Sequence, residues 1–98
     1  MVTRTERSVA EKTSRLLDVV RNPTRLLIVL LLRDRRGAYV QEIADELEMS
    51  QSAVSHQLHI LEQGGVASFT KEGRDVLYQL SRKQPARKLL KILRSLSI

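Results

Sequence analysis

Hydrophobic side chains recur every three or four residues in several stretches of the chain, which is the spacing of one helix face. The first stretch predicts a helix over about 5–20, with a stripe at Val9, Thr13, Leu16, Leu17 and Val20. The second begins at Pro23 and is apolar almost all round, which predicts a central helix to about Asp34 that is covered on several sides. Asn22 is a preferred N-cap, and a proline at the first helical position commonly follows such a cap.

The middle of the chain predicts two short helices followed by a hairpin. The first helix spans about 41–48, and the second is capped by Ser50 and ends at the Gly64-Gly65 pair. Strands are predicted at about 66–71 and 75–80, joined across Gly73, which tolerates the positive φ of a tight turn. A short strand at 38–40 is expected beside them.

Pro85 begins the last predicted helix, over about 85–97, with an apolar stripe at Leu89, Ile92, Leu93 and Leu96. The predicted order is therefore α-α-(β)-α-α-β-β-α, mainly α with a small β-wing. This order predicts one winged helix-turn-helix domain over residues 1–98, with the helix-turn-helix at about 41–63 and the wing at about 66–81.

The helix after Ser50 has two faces of different chemistry. Val54, Leu58 and Leu61 recur at i, i+4 and i+7 and predict a buried face. The opposite face carries small or hydrogen-bonding side chains, namely Ser52, Ser55, His56 and His59. A helix anchored by one stripe and presenting short donors and acceptors on the other is suited to reading base edges in a major groove. The alternative is an ordinary solvated face.

Charge is distributed unevenly along the chain. The net charge is +6. Residues 1–40 contribute +5, with nine Lys/Arg and four Asp/Glu, whereas residues 41–80 contribute −5, with two Lys/Arg and seven Asp/Glu. Residues 81–98 contribute +6, with six Lys/Arg and no Asp/Glu. DNA affinity rests mainly on phosphate neutralisation, so the cations must come from the flanks and from Lys71 and Arg74 on the wing. Arg4 and Arg7 could form a flexible arm. Solvated helix faces are the alternative reading of the flank charges.

Several function classes are excluded or disfavoured. The chain has no cysteine, which excludes disulfides, thiolate metal sites and thiol redox sensing. No apolar run approaches the ~18 residues of a membrane span, and the N-terminus does not read as a signal peptide, so a cytoplasmic, nucleoid-associated protein is expected. Gly-x-Ser-x-Gly elbows, phosphate loops and apolar carboxylate pairs are absent, so neither enzyme activity nor a cofactor is expected. His56 and His59 alone make an incomplete metal site, whereas their protonation would strengthen phosphate binding at acidic pH.

Four segments resemble the ArsR/SmtB repressors. They are Asn22-Pro23-Thr24-Arg25-Leu26, Glu42-Ile43-Ala44, the run from Met49 to Leu58 that reads MSQSAVSHQL, and Glu72-Gly73-Arg74 with Tyr78. The resemblance covers about residues 16–82 and implies a winged helix that dimerises through its first and last helices. It also implies binding to a pseudo-palindromic operator on double-stranded DNA, with release when an effector binds. By position, Gln51, Ser52, Ser55 and His56 match the recognition-helix contacts and Arg74 the wing-tip arginine.

The chain departs from the resembled family at both usual metal sites. A Cys-x-Cys pair is common where this chain has Tyr39-Val40-Gln41, and Asp, His or Glu ligands are common where it has Arg87, Lys88, Lys91 and Arg94. No metal is therefore expected, and the effector remains unknown.

The stripes of the first and last helices predict a homodimer interface formed by Val9, Leu16, Leu89, Ile92, Leu93 and Leu96. Burying an exposed Leu is worth about 2 kcal/mol, so leaving such a stripe in water would be costly. Leu27 and Leu30, at positions usually polar in the resembled family, could extend this interface or line an effector pocket. The expected function is a homodimeric transcriptional regulator, a repressor. The alternative is a winged-helix protein-interaction module whose acidic 41–64 region docks a basic partner.

Overall fold

The computed structural model describes residues 1–97, so the last residue of the predicted domain, Ile98, lies outside the described residues. The elements follow the predicted order: α1 (Arg4–Val20), α2 (Pro23–Arg35), β1 (Ala38–Tyr39), α3 (Val40–Leu47), α4 (Gln51–Gln63), β2 (Ala67–Glu72), β3 (Asp75–Leu80) and α5 (Ala86–Ser95). The predicted fold class, mainly helical with a small β-wing, is confirmed. Val40, which was expected to end β1, instead begins α3.

The helix starts are set by side-chain caps that were readable in the sequence. Asn22 Oδ1 accepts hydrogen bonds from the backbone N–H groups of Thr24 (2.8 Å) and Arg25 (3.3 Å) at the start of α2. Ser50 Oγ accepts one from the Ala53 N–H (3.2 Å) at the start of α4. Such acceptors satisfy first-turn donors that have no partner within the helix.

The first turn of α1 corrects one expectation. Thr3 Oγ1 accepts a hydrogen bond from the Glu6 N–H, and Glu6 Oε1 accepts one from the Thr3 N–H, both at 3.0 Å. This reciprocal capping box places Arg4 and Arg7 within α1, because it starts the helix at Arg4. The two arginines therefore do not form a flexible arm.

The wing belongs to a three-stranded antiparallel sheet of order β1-β3-β2. Phe69 lies opposite Tyr78 in the β2–β3 register, with ring centroids 5.6 Å apart. Gly73 turns the hairpin with φ of 66°, and a Cβ built there would meet no atom within 4 Å. Backbone conformation, not space, is therefore what favours glycine at the tip.

One aliphatic core joins the helices to the sheet. Its largest fully buried side chains come from α2, α3, α4 and the residue before β2: Ile28, Val29, Leu32, Ile43, Val54, Leu58, Leu61 and Val66. Leu16 and Val20 of α1 and Leu89 and Leu93 of α5 also belong to this core. Within residues 1–97 no helix is long and apolar enough to cross a membrane.

Candidate DNA-binding surface

The turn between α3 and α4 sets the direction in which α4 leaves the core. Glu48 adopts a left-handed conformation with φ of 53°, and the Met49 N–H bonds the Ala44 carbonyl at 3.0 Å. After Ser50 the chain starts α4, where Val54, Leu58 and Leu61 are 0% exposed. The two-faced character predicted for this helix is therefore confirmed.

The opposite face of α4 points to solvent. All five residues predicted to read bases are exposed, namely Gln51, Ser52, Ser55, His56 and His59. Within residues 1–97, Ser55, His56 and His59 form no side-chain hydrogen bond or ion pair, so their donors and acceptors are available. Ser52 Oγ lies 3.4 Å from Ser50 Oγ, the capping atom.

Gln51 is held in place by the preceding helix. Its Nε2 donates to Gln41 Oε1, and Gln41 Nε2 in turn donates to Asp45 Oδ1 at 2.8 Å. Gln51 keeps its second amide N–H and its Oε1, the pair that can bond adenine in a bidentate manner. Sequence analysis missed Gln41 and Asp45, because only the bend between α3 and α4 brings Gln41 to Gln51.

The wing presents two cations. Lys71 and Arg74 are exposed, and neither forms an ion pair within residues 1–97. Their acidic neighbour Glu72 instead accepts a hydrogen bond from the Tyr39 hydroxyl, at 3.3 Å and 3.4 Å from its two oxygens. The charge of Glu72, above other causes, raises the pKa of Tyr39. This contact links the tip of β2 to the start of α3, which sequence analysis did not anticipate.

Tyr78 lies on β3, in the wing. Its partial burial raises its pKa above the ordinary tyrosine value, and the negative charge of Glu62 on α4 adds to the effect.

An acidic surface lies on α3, beside the candidate reading face. Arg35 and the α3 side chains Glu42, Asp45 and Glu46 line a shallow depression together with Glu48. Arg35 pairs with Glu46, so the remaining carboxylates give the depression a negative potential. A phosphate group would be repelled from this depression.

The residues predicted for the dimer interface divide into two groups. Val9, Ile92 and Leu96 are 55%, 37% and 62% exposed, whereas Leu16, Leu89 and Leu93 are buried within the single chain. Part of the α5 stripe, Leu89 and Leu93, therefore packs in the core of the single chain, although all four residues of the stripe were predicted for the dimer interface.

A groove of about 770 Å³ separates α1 from the start of α5, with Leu16, Val19, Pro85 and Ile92 among its lining residues. Leu27 is 51% exposed on α2, whereas Leu30 is partly buried against the core. Among residues 1–97, no three His, Cys, Asp or Glu side chains cluster as a metal site would need.

Comparison with known proteins identifies a family for the chain. Residues 22–68, which include α2, α3 and α4, match the model described as bacterial regulatory protein, arsR family. The chain is 37% identical over 75 residues to the HTH-type transcriptional repressor SmtB of Mycobacterium tuberculosis, covering 76% of this chain and 55% of SmtB. The chain thus spans about half the length of that relative.

Structural similarity extends over almost the whole chain. Reduced HlyU from Vibrio cholerae superposes with a TM-score of 0.83 at 31% identity, covering 96% of this chain and 97% of HlyU. A Mycobacterium bovis fragment described as a homodimeric winged helix-turn-helix DNA-binding domain superposes with a TM-score of 0.78 at 21% identity, covering 99% of this chain and 88% of the fragment, and supports the fold. From its sequence and its structure together, the chain belongs to the ArsR family of bacterial regulatory proteins, whose matched members are transcriptional regulators and not enzymes.

Proposed function

We propose that the protein is a homodimeric, sequence-specific double-stranded DNA-binding regulator of transcription, acting as a repressor. The observation that carries this proposal is the division of α4. Three of its side chains are wholly buried, while four polar ones on the opposite face, and Gln51 at the start of the helix, are exposed. A helix held rigidly by its apolar face and free on its polar face can enter a major groove without repacking the core.

Base reading is assigned to Gln51, Ser52, Ser55, His56 and His59. Gln51 is the strongest candidate because its amide is already oriented by Gln41 and retains one donor and one acceptor for adenine. The helix carries no Arg or Lys, so bidentate recognition of guanine is not assigned to α4.

Backbone contacts are assigned to the wing and the basic flanks. Lys71 and Arg74 can approach phosphates or the minor groove, since neither is engaged by a carboxylate within residues 1–97. These contacts supply affinity but carry little sequence information, which distinguishes them from the contacts of α4.

A second copy is proposed to cover the α1/α5 face, where Val9, Ile92 and Leu96 remain exposed. A twofold dimer would present two α4 helices to half-sites about 34 Å apart, which is the reason for expecting a pseudo-palindromic operator. Binding to chromosomal DNA would place the protein in the cytoplasm at the nucleoid. The relative SmtB is named a repressor, whereas the relative HlyU of Vibrio cholerae is named a transcriptional activator. Whether this protein represses or activates therefore needs its own assay.

The test is selection of binding sites from random duplex DNA by the purified protein at moderate salt, followed by sequencing. We expect an inverted repeat with half-sites one helical turn apart. Placing the recovered repeat across a promoter in a transcription assay should lower the transcript level, whereas an increase would assign activation instead.

The acidic depression on α3 supports a second candidate function, a protein-interaction module that binds a basic partner. That candidate predicts no enriched sequence and negligible retention on random DNA even at low salt. Enrichment of a repeat would exclude it as the main function.

A further inference from the structure

Arg25 connects three helices through one side chain. It lies in the first turn of α2, where Asn22 caps its backbone N–H. Its Nε donates to the carbonyl oxygen of Val19 in the last turn of α1, and a terminal guanidinium nitrogen donates to Gln57 Oε1 on α4 at 2.9 Å. Both acceptors belong to helices other than its own.

The contact with α1 follows from the sequence at the corner. The Val19 carbonyl lies in the last turn of α1, where carbonyls have no donor within the helix, and the residue four positions later is Pro23, which has no N–H to offer. Arg25 supplies the missing donor. A cation beside the carbonyl end of α1 is also favourable, because that end carries the negative part of the helix dipole.

The bond to Gln57 links α4 to the last turn of α1 through Arg25, and a direct contact links the same two helices further along α4. Gly64, which ends α4, packs so closely that a Cβ built on it would lie 2.6 Å and 2.8 Å from the two Val19 methyl groups. Gln57 is seven residues earlier, about 10 Å along the helix. Two attachments so far apart limit both the tilt and the rotation of α4 relative to α1.

Gln57 occupies an intermediate position on α4. It is partly buried, next to the exposed reading residues, and its Oε1 is already bonded to Arg25. Gln57 therefore resembles an anchor of the reading helix more than a reader of bases.

We propose that Arg25 is a positioning residue that holds the recognition helix to the dimerisation helix through Gln57, so that discrimination between DNA sequences depends on a hydrogen bond that does not touch DNA. This inference rests on the proposed function. Because α1 is proposed to pack against the second copy, the same bond would also pass the orientation of the dimer to each reading helix.

The test is a double-mutant cycle with Arg25→Met, Gln57→Met and the combined variant. Fluorescence anisotropy gives the affinity of the full chain for the selected operator and for a random duplex of equal length, and the ratio of the two measures discrimination. We expect each single substitution to lower that ratio about tenfold, close to the lower limit for hydrogen bonds to charged groups. The combined variant should lose no more than the single ones.

Two controls separate positioning from general damage. Arg21→Met removes another arginine from the same corner, one whose ion pair with Asp18 is about three-quarters exposed, and it should leave the ratio unchanged. Gln57→Glu keeps an acceptor for Arg25, so this variant should retain most of the discrimination when Arg25 is present. Combined with Arg25→Met, it should not retain it. Should Arg25→Met fail to fold, the Gln57 pair of substitutions still decides the question.

Equal loss from Gln57→Met in both Arg25 backgrounds would mean that Gln57 contacts DNA itself, which overturns the proposal. Unchanged discrimination in the single variants would overturn it as well. A wild-type protein without sequence preference would refute the proposed function instead. In that case hydrogen exchange of the α4 backbone amides still tests whether Gln57 anchors the helix. Gln57→Met should accelerate this exchange several-fold and Gln57→Glu should not. Equal exchange rates in the two variants would refute the anchoring role.

Discussion

Replacing Ile92 and Leu96 by serine is expected to weaken the proposed dimer strongly while leaving the fold of each chain intact. Ile92 lies on α5 and Leu96 is the capping residue directly after it, four positions later; they are 37% and 62% exposed. Leu89 and Leu93, which anchor α5 to the core, are only 2% and 3% exposed and are untouched by the change. The perturbation therefore acts on the outer face of the helix.

The magnitude follows from the area still open to solvent. The exposed fractions of the two side chains, 37% and 62%, together equal about one whole side chain. Full burial of one Leu or Ile is worth about 2 kcal/mol, and a twofold interface counts the loss in both copies. The dimer should lose about 4 kcal/mol, which is about a thousandfold in its dissociation constant.

Sedimentation velocity over a dilution series measures this constant directly. Phe69→Ser is the matched control, because Phe69 is 44% exposed on β2 and lies outside the proposed interface. Leu27→Ser, at a side chain 51% exposed on α2, decides whether that residue extends the interface. A double variant that dimerises as tightly as the wild type would refute the reasoning, as would a wild type that is monomeric at every concentration.

Three further predictions test the reading helix, a helix cap and the wing. Gln51→Ala should lower the preference for the operator over random DNA about 5- to 150-fold. Arg74→Ala should weaken binding to all duplexes alike and reduce the slope of log affinity against log salt by about 0.9 per protomer. Equal losses of specificity from the two substitutions, measured by fluorescence anisotropy over a salt series, would contradict this division. Asn22→Ala should lower the free energy of unfolding by about 1 kcal/mol in urea denaturation, since two first-turn N–H groups lose their acceptor, and Asn22→Ser should retain most of it. The raised pKa of Tyr39 means that the folded chain favours the protonated hydroxyl. The stabilisation that this hydroxyl contributes is complete below the ordinary tyrosine pKa and is lost as the pH rises through the raised pKa of the folded chain. Glu72→Gln should move the tyrosinate absorbance transition to lower pH, and an unmoved transition would count against the Tyr39–Glu72 contact.

The two main departures from expectation had different causes, one in which neighbour covers a helix face and one in a local cap. The period of α5 defined its apolar stripe, but not that Leu89 and Leu93 would reach the core while Ile92 and Leu96 would not. A helical period specifies a face and leaves open which neighbour covers it. The capping box that draws Arg4 into α1 was present in the sequence as Thr3 and Glu6, and reading it would have removed the flexible arm.

The sequence by itself determined the elements, their order and the two faces of α4, because caps, turn glycines and apolar periodicity act over only a few residues. Asn22, Ser50 and Gly73 each set a local boundary that needed no distant partner. Only the tertiary structure decided how the reading helix is held. The contacts of Gln51 with Gln41 and of Arg25 with Gln57 join residues 10 and 32 positions apart. Such pairs form only where the packing of the aliphatic core brings separate helices together. The local pattern of side chains does not show which residues of two helices will then be close in space.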